Sequence, residues 1–242
     1  MLDSILHQIY SIHNETGHEW PMIAFVREYV KEHIHEAEVQ IDMFGNLYIT
    51  KGEARVGYPT LACHLDQVQK LHSNDFEVQE KNGIWVCLRC LEECPRLKVF
   101  MAVGEEKGCI GSNRADMSFF SDSFYVLEPD CKGGEEVHTN LRGIPYASTI
   151  FEEALQLDKY GYVITDGKTS DILALNLNNI GVSCANIPVS YYLPHKDDEY
   201  TVKAELEKCF SFVLHIINTL GERFSHIYKS ETQLMIEKEL FE

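Results

Sequence analysis

The chain has 242 residues, 45% of them hydrophobic and 24% charged, with a net charge of −17. That length supports one large domain with an ample core or two small ones, and so negative a balance argues against nucleic acid or an anionic membrane as partner, because phosphates are repelled. No apolar run approaches the roughly 18–20 residues that span a bilayer. The opening MLDSILHQIYSIHNETG has no basic n-region or clean apolar block, so a cytoplasmic location is expected. The eight cysteines, among them Cys63, Cys87, Cys90, Cys109 and Cys184, are scattered through apolar stretches and read as free buried thiols. Cys87, Cys90 and Cys94 do not make a zinc ribbon, because no second Cys-x-x-Cys follows at suitable spacing.

In chain order, Leu2, Ile5, Leu6, Ile9 and Ile12 fall at helical spacing, which predicts an amphipathic helix over 2–13. Pro21 opens a second helix with Ile23, Phe25, Val26, Tyr29, Val30 and Ile34 as its stripe. Val39–Asp42 and Leu47–Thr50 flank Phe44-Gly-Asn46 as a hairpin. Thr60–Cys63 is a short buried strand that runs into His64-Leu-Asp66. Residues 72–98 have two readings. Phe76–Glu80 and Ile84–Leu88 would pair across Lys81-Asn-Gly83 as a hairpin, or a helix would begin at Asn82-Gly83 and run to Cys94, where Pro95 stops it. CLRCLEE suits the helix better. Val99–Val103 is a buried strand, Ala115–Phe120 a short helix, and Phe124–Leu127 a strand that ends at Glu128-Pro-Asp130 before a Gly133-Gly134 turn. Ser148–Leu157 is a helix. Tyr162–Thr165 leads through Asp166-Gly-Lys-Thr-Ser-Asp171 to a helix that ends at Leu177. Val182–Ile187 is a strand, and Val202–Leu220 a long amphipathic helix. This alternation predicts an α/β fold, a three-layer α/β/α sandwich on a largely parallel or mixed central sheet, formed by residues 1–242 as one domain.

The chemistry sits where the strands stop. Val99–Val103 delivers two adjacent carboxylates, Glu105 and Glu106, into a turn punctuated by Gly108 and Gly111. A bare Glu-Glu pair in an acidic protein is ordinarily a solvated one. Here, though, His64 and Asp66, Glu128 or Asp130, and His195 also follow apolar strands, so one topology would bring them to one sheet edge. Imidazole and carboxylate donors suit zinc with open positions for water. Asp66 is placed to orient the His64 imidazole. One of the paired glutamates would bind metal while the other takes a proton from water.

HLDQVQ, VGEEKGCIGS and GVSCANIPVSYYLPHKDDEY, in that order, resemble the zinc exopeptidases related to peptidase T, aminoacylase and glutamate carboxypeptidase. The resemblance covers about residues 59–206. It implies a zinc-dependent exopeptidase or amide hydrolase acting on small peptides or N-acyl amino acids, with one or two zinc ions. By that resemblance His64 holds one metal with Asp66 supporting it, Glu105 is the general base, Glu106 binds the other metal, and His195 completes that second site. The acid after the strand is Asp130 if Asp-Cys-Lys-Gly is the matching step, or Glu128 if Leu-Glu-Pro is; Asp130 is preferred. Ser170 and Asp171 resemble the step that lines the substrate side. A homo-oligomer is compatible with the resemblance.

Two departures stand out. Many of these enzymes carry an inserted lid domain, and the stretch between Asp130 and Asp171 is too short for one. The acid expected to bridge both metals falls on Gln79, with Glu80 beside it. A neutral side chain cannot supply the carboxylate that lets two cations sit roughly 3.5–4 Å apart. This motivates the alternative of a degenerate, catalytically impaired member of the fold that acts as a binding protein.

Overall fold

The computed structural model describes residues 2–53, 56–68, 81–196 and 198–229. Two helices open the chain, α1 (Leu2–Ser11) and α2 (Trp20–His33). The hairpin β1 (Ala37–Ile41) and β2 (Leu47–Lys51) follows, then β3 (Tyr58–His64), α3 (Asn82–Glu93), β4 (Leu97–Ala102) and β5 (Ser123–Cys131). Next come β6 (Glu136–Leu141), β7 (Ile144–Pro145), α4 (Thr149–Leu155), β8 (Val163–Asp166) and α5 (Asp171–Leu177). The described chain closes with β9 (Cys184–Pro188), the small pair β10 (Tyr191–Tyr192) and β11 (Tyr200–Thr201), and α6 (Lys203–Thr219).

The main sheet runs β1-β2-β4-β3-β5-β9-β6-β7, with β8 added alongside β6. Its centre is parallel: β3 pairs with β4 and with β5, and β5 pairs with β9. The β1–β2–β4 side and the β6–β9 contact are antiparallel, so the sheet is mixed. Strands buried on both faces read as continuous apolar runs, and alternate residues serve opposite layers. Leu61, Cys63, Val99, Met101, Tyr125 and Leu127 pack with the apolar faces of α1, α2, α3, α4 and α6. Ala62, Phe100, Ala102 and Val126 pack with Ile172, Leu173 and Leu175 of α5 and with Phe120. The three-layer α/β/α expectation describes this arrangement.

The helix reading of 82–94 holds, and α3 is buried nearly all round, as its apolar sequence requires. The competing strand at 76–80 lies outside the described residues. Three expectations change. The helix at 115–120 is instead two short 3-10 turns, Ser112–Arg114 and Met117–Phe120. Between them Asp116 is extended and its carboxylate accepts the Ser118 N–H, a local bond that competes with helix continuation. The strand expected to stop at Leu127 runs on through Pro129 to Cys131, with a register shift that accommodates the proline. Strand β6 was not foreseen. Residues 131–170 supply β6, β7, α4 and β8, which widen and cover the sheet.

All eight cysteines are free and buried. Among the described residues no helix is long and apolar enough to cross a membrane.

The strand-to-turn junction after β4 is closed by Asn46, which is fully buried. Its Oδ1 accepts the Val103 N–H at 3.1 Å and its Nδ2 donates to the Gly111 carbonyl at 3.1 Å. Asp42 holds Asn46 in turn, accepting its Nδ2 at 2.7 Å and its backbone N–H at 3.0 Å. A Cβ on Gly111 would lie 2.2 Å from Asn46 Oδ1 and 2.6 Å from the Val103 carbonyl oxygen. Gly111→Ala is therefore expected to destabilise the protein by about 1–3 kcal/mol, the usual cost of overpacking, measured by urea unfolding. A neutral result would show that this junction yields freely.

Candidate metal centre and active site

Parallel pairing of β3, β4 and β5 puts their carboxyl ends on one edge, where α/β sheets place their ligands. β3 ends in His64. β4 is followed by Gly104, whose φ of +66° turns the chain sharply into the 3-10 turn Glu105–Lys107. β5 carries Glu128 and Asp130 in its last turn of sequence. His195 arrives from the other side, after β10, on a loop in which Leu193 (φ +57°) and His195 (φ +63°) are both left-handed. Such conformations cost free energy in non-glycine residues and are kept where surrounding contacts hold them. Tyr191 OH donates to the Asp130 carbonyl at 3.0 Å, and the His195 N–H donates to Glu199 at 3.1 Å.

Asp66 ties these pieces together. It is fully buried. Its Oδ1 accepts the Glu105 N–H at 3.0 Å, and its Oδ2 accepts the Glu106 N–H at 3.3 Å and the Thr16 hydroxyl at 2.7 Å. Its backbone carbonyl lies 3.0 Å from His64 Nδ1 and its Oδ1 lies 3.5 Å from the same nitrogen. The other ring nitrogen, His64 Nε2, lies 3.0 Å from Asp130 Oδ1. Across the cleft His195 Nε2 lies 3.2 Å from Glu106 Oε1. His64, Glu105 and Glu106 each offer one ligand atom within 4.8 Å of the others.

These groups sit in an electrostatic conflict. Burial pushes the Glu105 carboxyl up to about 8, the nearby His64 opposing and Asp130, Asp171 and Glu106 adding to the rise. Burial likewise pushes Asp171 up to about 7 against the pull of His64 and Ser112. Glu128, fully enclosed, is driven well above the usual carboxylate range by burial and then by Asp130 and Asp171. Burial would push His64 down, but the charge and hydrogen bond of Asp130, with Asp66 and Glu105, outweigh it and raise it well above its ordinary value. Too many buried acids share too few cations. Two imidazoles facing carboxylates, with carboxyl groups that resist ionising alone, form a donor set that a divalent cation completes, and nitrogen-oxygen donors of this type suit zinc.

The cavity at this edge has a volume of about 240 Å³ and is lined by His64, Glu105, Glu106, Asp130, Ser170 and His195 among others. Six of the expected residues thus meet. Glu128 does not line it: its carboxyl lies beneath the floor, where Asn186 Nδ2 donates to it at 2.7 Å and the Ser170 hydroxyl also bonds to it. Of the two alternatives, Asp130 is the one that touches His64. Asp171 also turns inward, its carboxylate accepting the Ser112 hydroxyl. Gln79 and Glu80 lie outside the described residues. Asn46 and Asn186 were missed. Phe44-Gly-Asn46 has the composition of a hairpin turn, and nothing in it reveals the bond across to Val103. His138, which also lines the cavity, was missed with its strand.

Solved structures share this architecture. Aminopeptidase PepT from Bacillus cereus superposes with a TM-score of 0.73 over 91% of this chain and 98% of its own, at 14% identity. An aminopeptidase from the archaeon Desulfurococcus kamchatkensis gives 0.73 over 89% and 94%, at 16% identity. A tripeptidase from Staphylococcus aureus gives 0.69 over 90% and 97%, at 14% identity. The chain has the fold of these peptidases. No protein-family model matches it, and no curated protein sequence does.

The conflict among the buried groups gives a pH dependence. Glu105 and Asp171 bind protons in the folded state at pH values where the unfolded chain has released them, and His64 behaves in the same sense. The folded state then holds more protons, so stability falls as pH rises from about 4.5 to about 8. Chelator-treated protein is expected to melt at a lower temperature at pH 8 than at pH 6, with added zinc reducing the difference. A melting temperature that rises across this range without metal would contradict the electrostatics described.

Proposed function

We propose that this chain is a metal-dependent peptidase that cleaves short peptides or N-acyl amino acids. The observation that carries the reading is the convergence of His64, Glu105, Glu106, Asp130 and His195 on one cavity at the carboxyl edge of the parallel strands. The names of the similar structures, two aminopeptidases and a tripeptidase, support the choice of peptide bonds. His64 and Asp130 would hold one ion, of zinc type, and Glu106 with His195 a second. Such an ion, when bound, polarises the scissile carbonyl and makes water a better proton donor.

The remaining steps belong to the protein. Glu105 takes the proton of the attacking water on its carboxylate and passes it to the departing amine, which is general base followed by general acid. Its backbone is fixed by the Asp66 bond, so its side chain needs little reorganisation. The Cys109 thiol, 3.8 Å from Glu105 Oε1, engages one oxygen. Asp66 orients His64 through Nδ1 and leaves Nε2 turned to the cavity side. Ser170 presents a small polar wall above the buried Glu128.

The test is hydrolysis of a panel of di- and tripeptides and acyl amino acids, with zinc counted per chain. Glu105→Gln is expected to lower kcat by about 10²–10⁴-fold, the range for loss of a general base, while zinc content is unchanged. Protein that never takes up zinc, at any added concentration, would sink the proposal. Gln79 favours a second reading, an impaired binding protein with one ion or none. If Gln79→Asp creates activity that the unsubstituted chain lacks, that second reading stands.

A further inference from the structure

His195 reaches the cavity on a weakly built carrier. The β10–β11 hairpin that supports its loop pairs only Tyr191 with Thr201 and Tyr192 with Tyr200. A two-stranded ribbon so short is not stable by itself in water. Its entry at Ser190 (φ +66°) and its loop at Leu193 and His195 are left-handed, which costs further free energy. Contacts from outside the hairpin therefore fix where His195 stands.

The two feet of the hairpin meet at one buried amide. Asn82, the first residue of α3, is fully buried. Its Nδ2 donates to the Val189 carbonyl at 2.7 Å and to the Thr201 hydroxyl at 3.0 Å. Val189 stands just before β10 and Thr201 ends β11, so the two amide hydrogens grip both strands where they leave the body of the protein. Asn82 Oδ1 accepts the Tyr10 hydroxyl of α1. Aspartate has the same shape and no donor, and leucine has neither donor nor acceptor. Two other hydroxyls, Tyr191 to the Asp130 carbonyl and Tyr192 to Glu205 at 2.5 Å, hold β10, whereas Asn82 reaches both strands.

Asn82 is itself seated against the strands that carry His64 and Asp130. A Cβ on the next residue, Gly83, would lie 2.3 Å from the Pro129 carbonyl oxygen and 3.3 Å from Cys63 Cβ. The bare glycine lets α3 start directly on β5 and β3, beside the residues that precede Asp130 and His64.

We propose that Asn82 is a positioning residue for His195. By holding both feet of the β10–β11 hairpin against the ends of β3 and β5, it sets the separation of the Glu106–His195 pair from the His64–Asp130 pair. The use of that separation in a metal centre rests on the peptidase reading, but the positioning is a property of the metal-free chain.

The measurement is acylation of histidines by diethyl pyrocarbonate, read by mass spectrometry on the metal-free full chain. The His195 side chain is 45% exposed, so the reagent reaches it. Exposed His33, at the end of α2, is the reference. Thr201→Val removes one acceptor at nearly constant volume. It is expected to raise the His195 rate relative to His33 about three- to tenfold, the shift that one net hydrogen bond controls. Thr201→Ser keeps the hydroxyl and should restore the unsubstituted rate. Asn82→Ala, which releases both feet, should raise the rate further; if it does not fold, the valine and serine variants decide. A His195 rate unchanged by Thr201→Val overturns the proposal. So does a rise that the serine variant matches, because that reports general loosening. Zinc is then added, and the concentration that half-protects His195 is expected to be about three- to tenfold higher for the valine variant. If zinc never protects His195 in the unsubstituted chain, the peptidase reading falls and the metal-free rates still decide the positioning. If zinc protects and peptides are cleaved while those rates do not move, the positioning alone falls.

Discussion

One buried carboxylate organises this molecule's site. Asp66 accepts from Thr16 ahead of α2, from the backbone of Glu105 and Glu106 after β4, and sits against the His64 ring at the end of β3. Three segments far apart in sequence are fixed by one side chain. Its four contacts also explain why it ionises readily although it is buried: burial would raise its pKa, but His64, Thr16 and the Glu105 N–H hold it below the usual carboxylate range. Remove that charge and the acid pair loses its anchor, while His64 keeps only the Asp66 backbone carbonyl at Nδ1. The Asn46 bonds to Val103 and Gly111 then matter as the second fixing, bracketing the same loop from both ends.

Around this anchored centre the protein tolerates electrostatic discomfort. Glu105, Glu128 and Asp171 are all pushed up by burial and by one another. A fold with only structural needs would fill such a floor with apolar side chains, because buried charges are retained at a cost. Among the described residues, Asp66, Glu128 and Asp171 are fully buried where the parallel strands end. This is the pattern expected when perturbed ionisation serves a site rather than the core.

How much of this was legible in the sequence depended on the range of the interactions. Buried parallel strands announce themselves as apolar runs, so Val99–Val103 and the acids after it could be read directly. The order of His64, Asp66, Glu105, Glu106, Asp130 and His195 along the chain was enough to anticipate their meeting. Strand β6 was harder: EVHTNL is polar and flanked by glycines, and it is a strand because β9 and β8 pair with it on either side. The same holds for Asn46, whose importance is entirely a matter of two partners some sixty residues away. The choice between Glu128 and Asp130 turned on which side chain clears the sheet floor, and residue type carries no signal for that.

The eight thiols have a practical meaning. Each is buried, and burial holds Cys184 up at about 12 and Cys131 likewise, far from the thiolate form that reacts. Apart from Cys131, which lines the cavity, the thiols of a folded molecule are therefore slow toward alkylating reagents, and their labelling reports an opening. Cys109 lies in the turn that carries the acid pair, its sulfur against Glu105, whereas Cys87 and Cys90 lie inside the most enclosed helix. Their labelling rates form an internal set of clocks. The first times excursions of the turn that carries Glu105 and Glu106, and the others time the opening of the core.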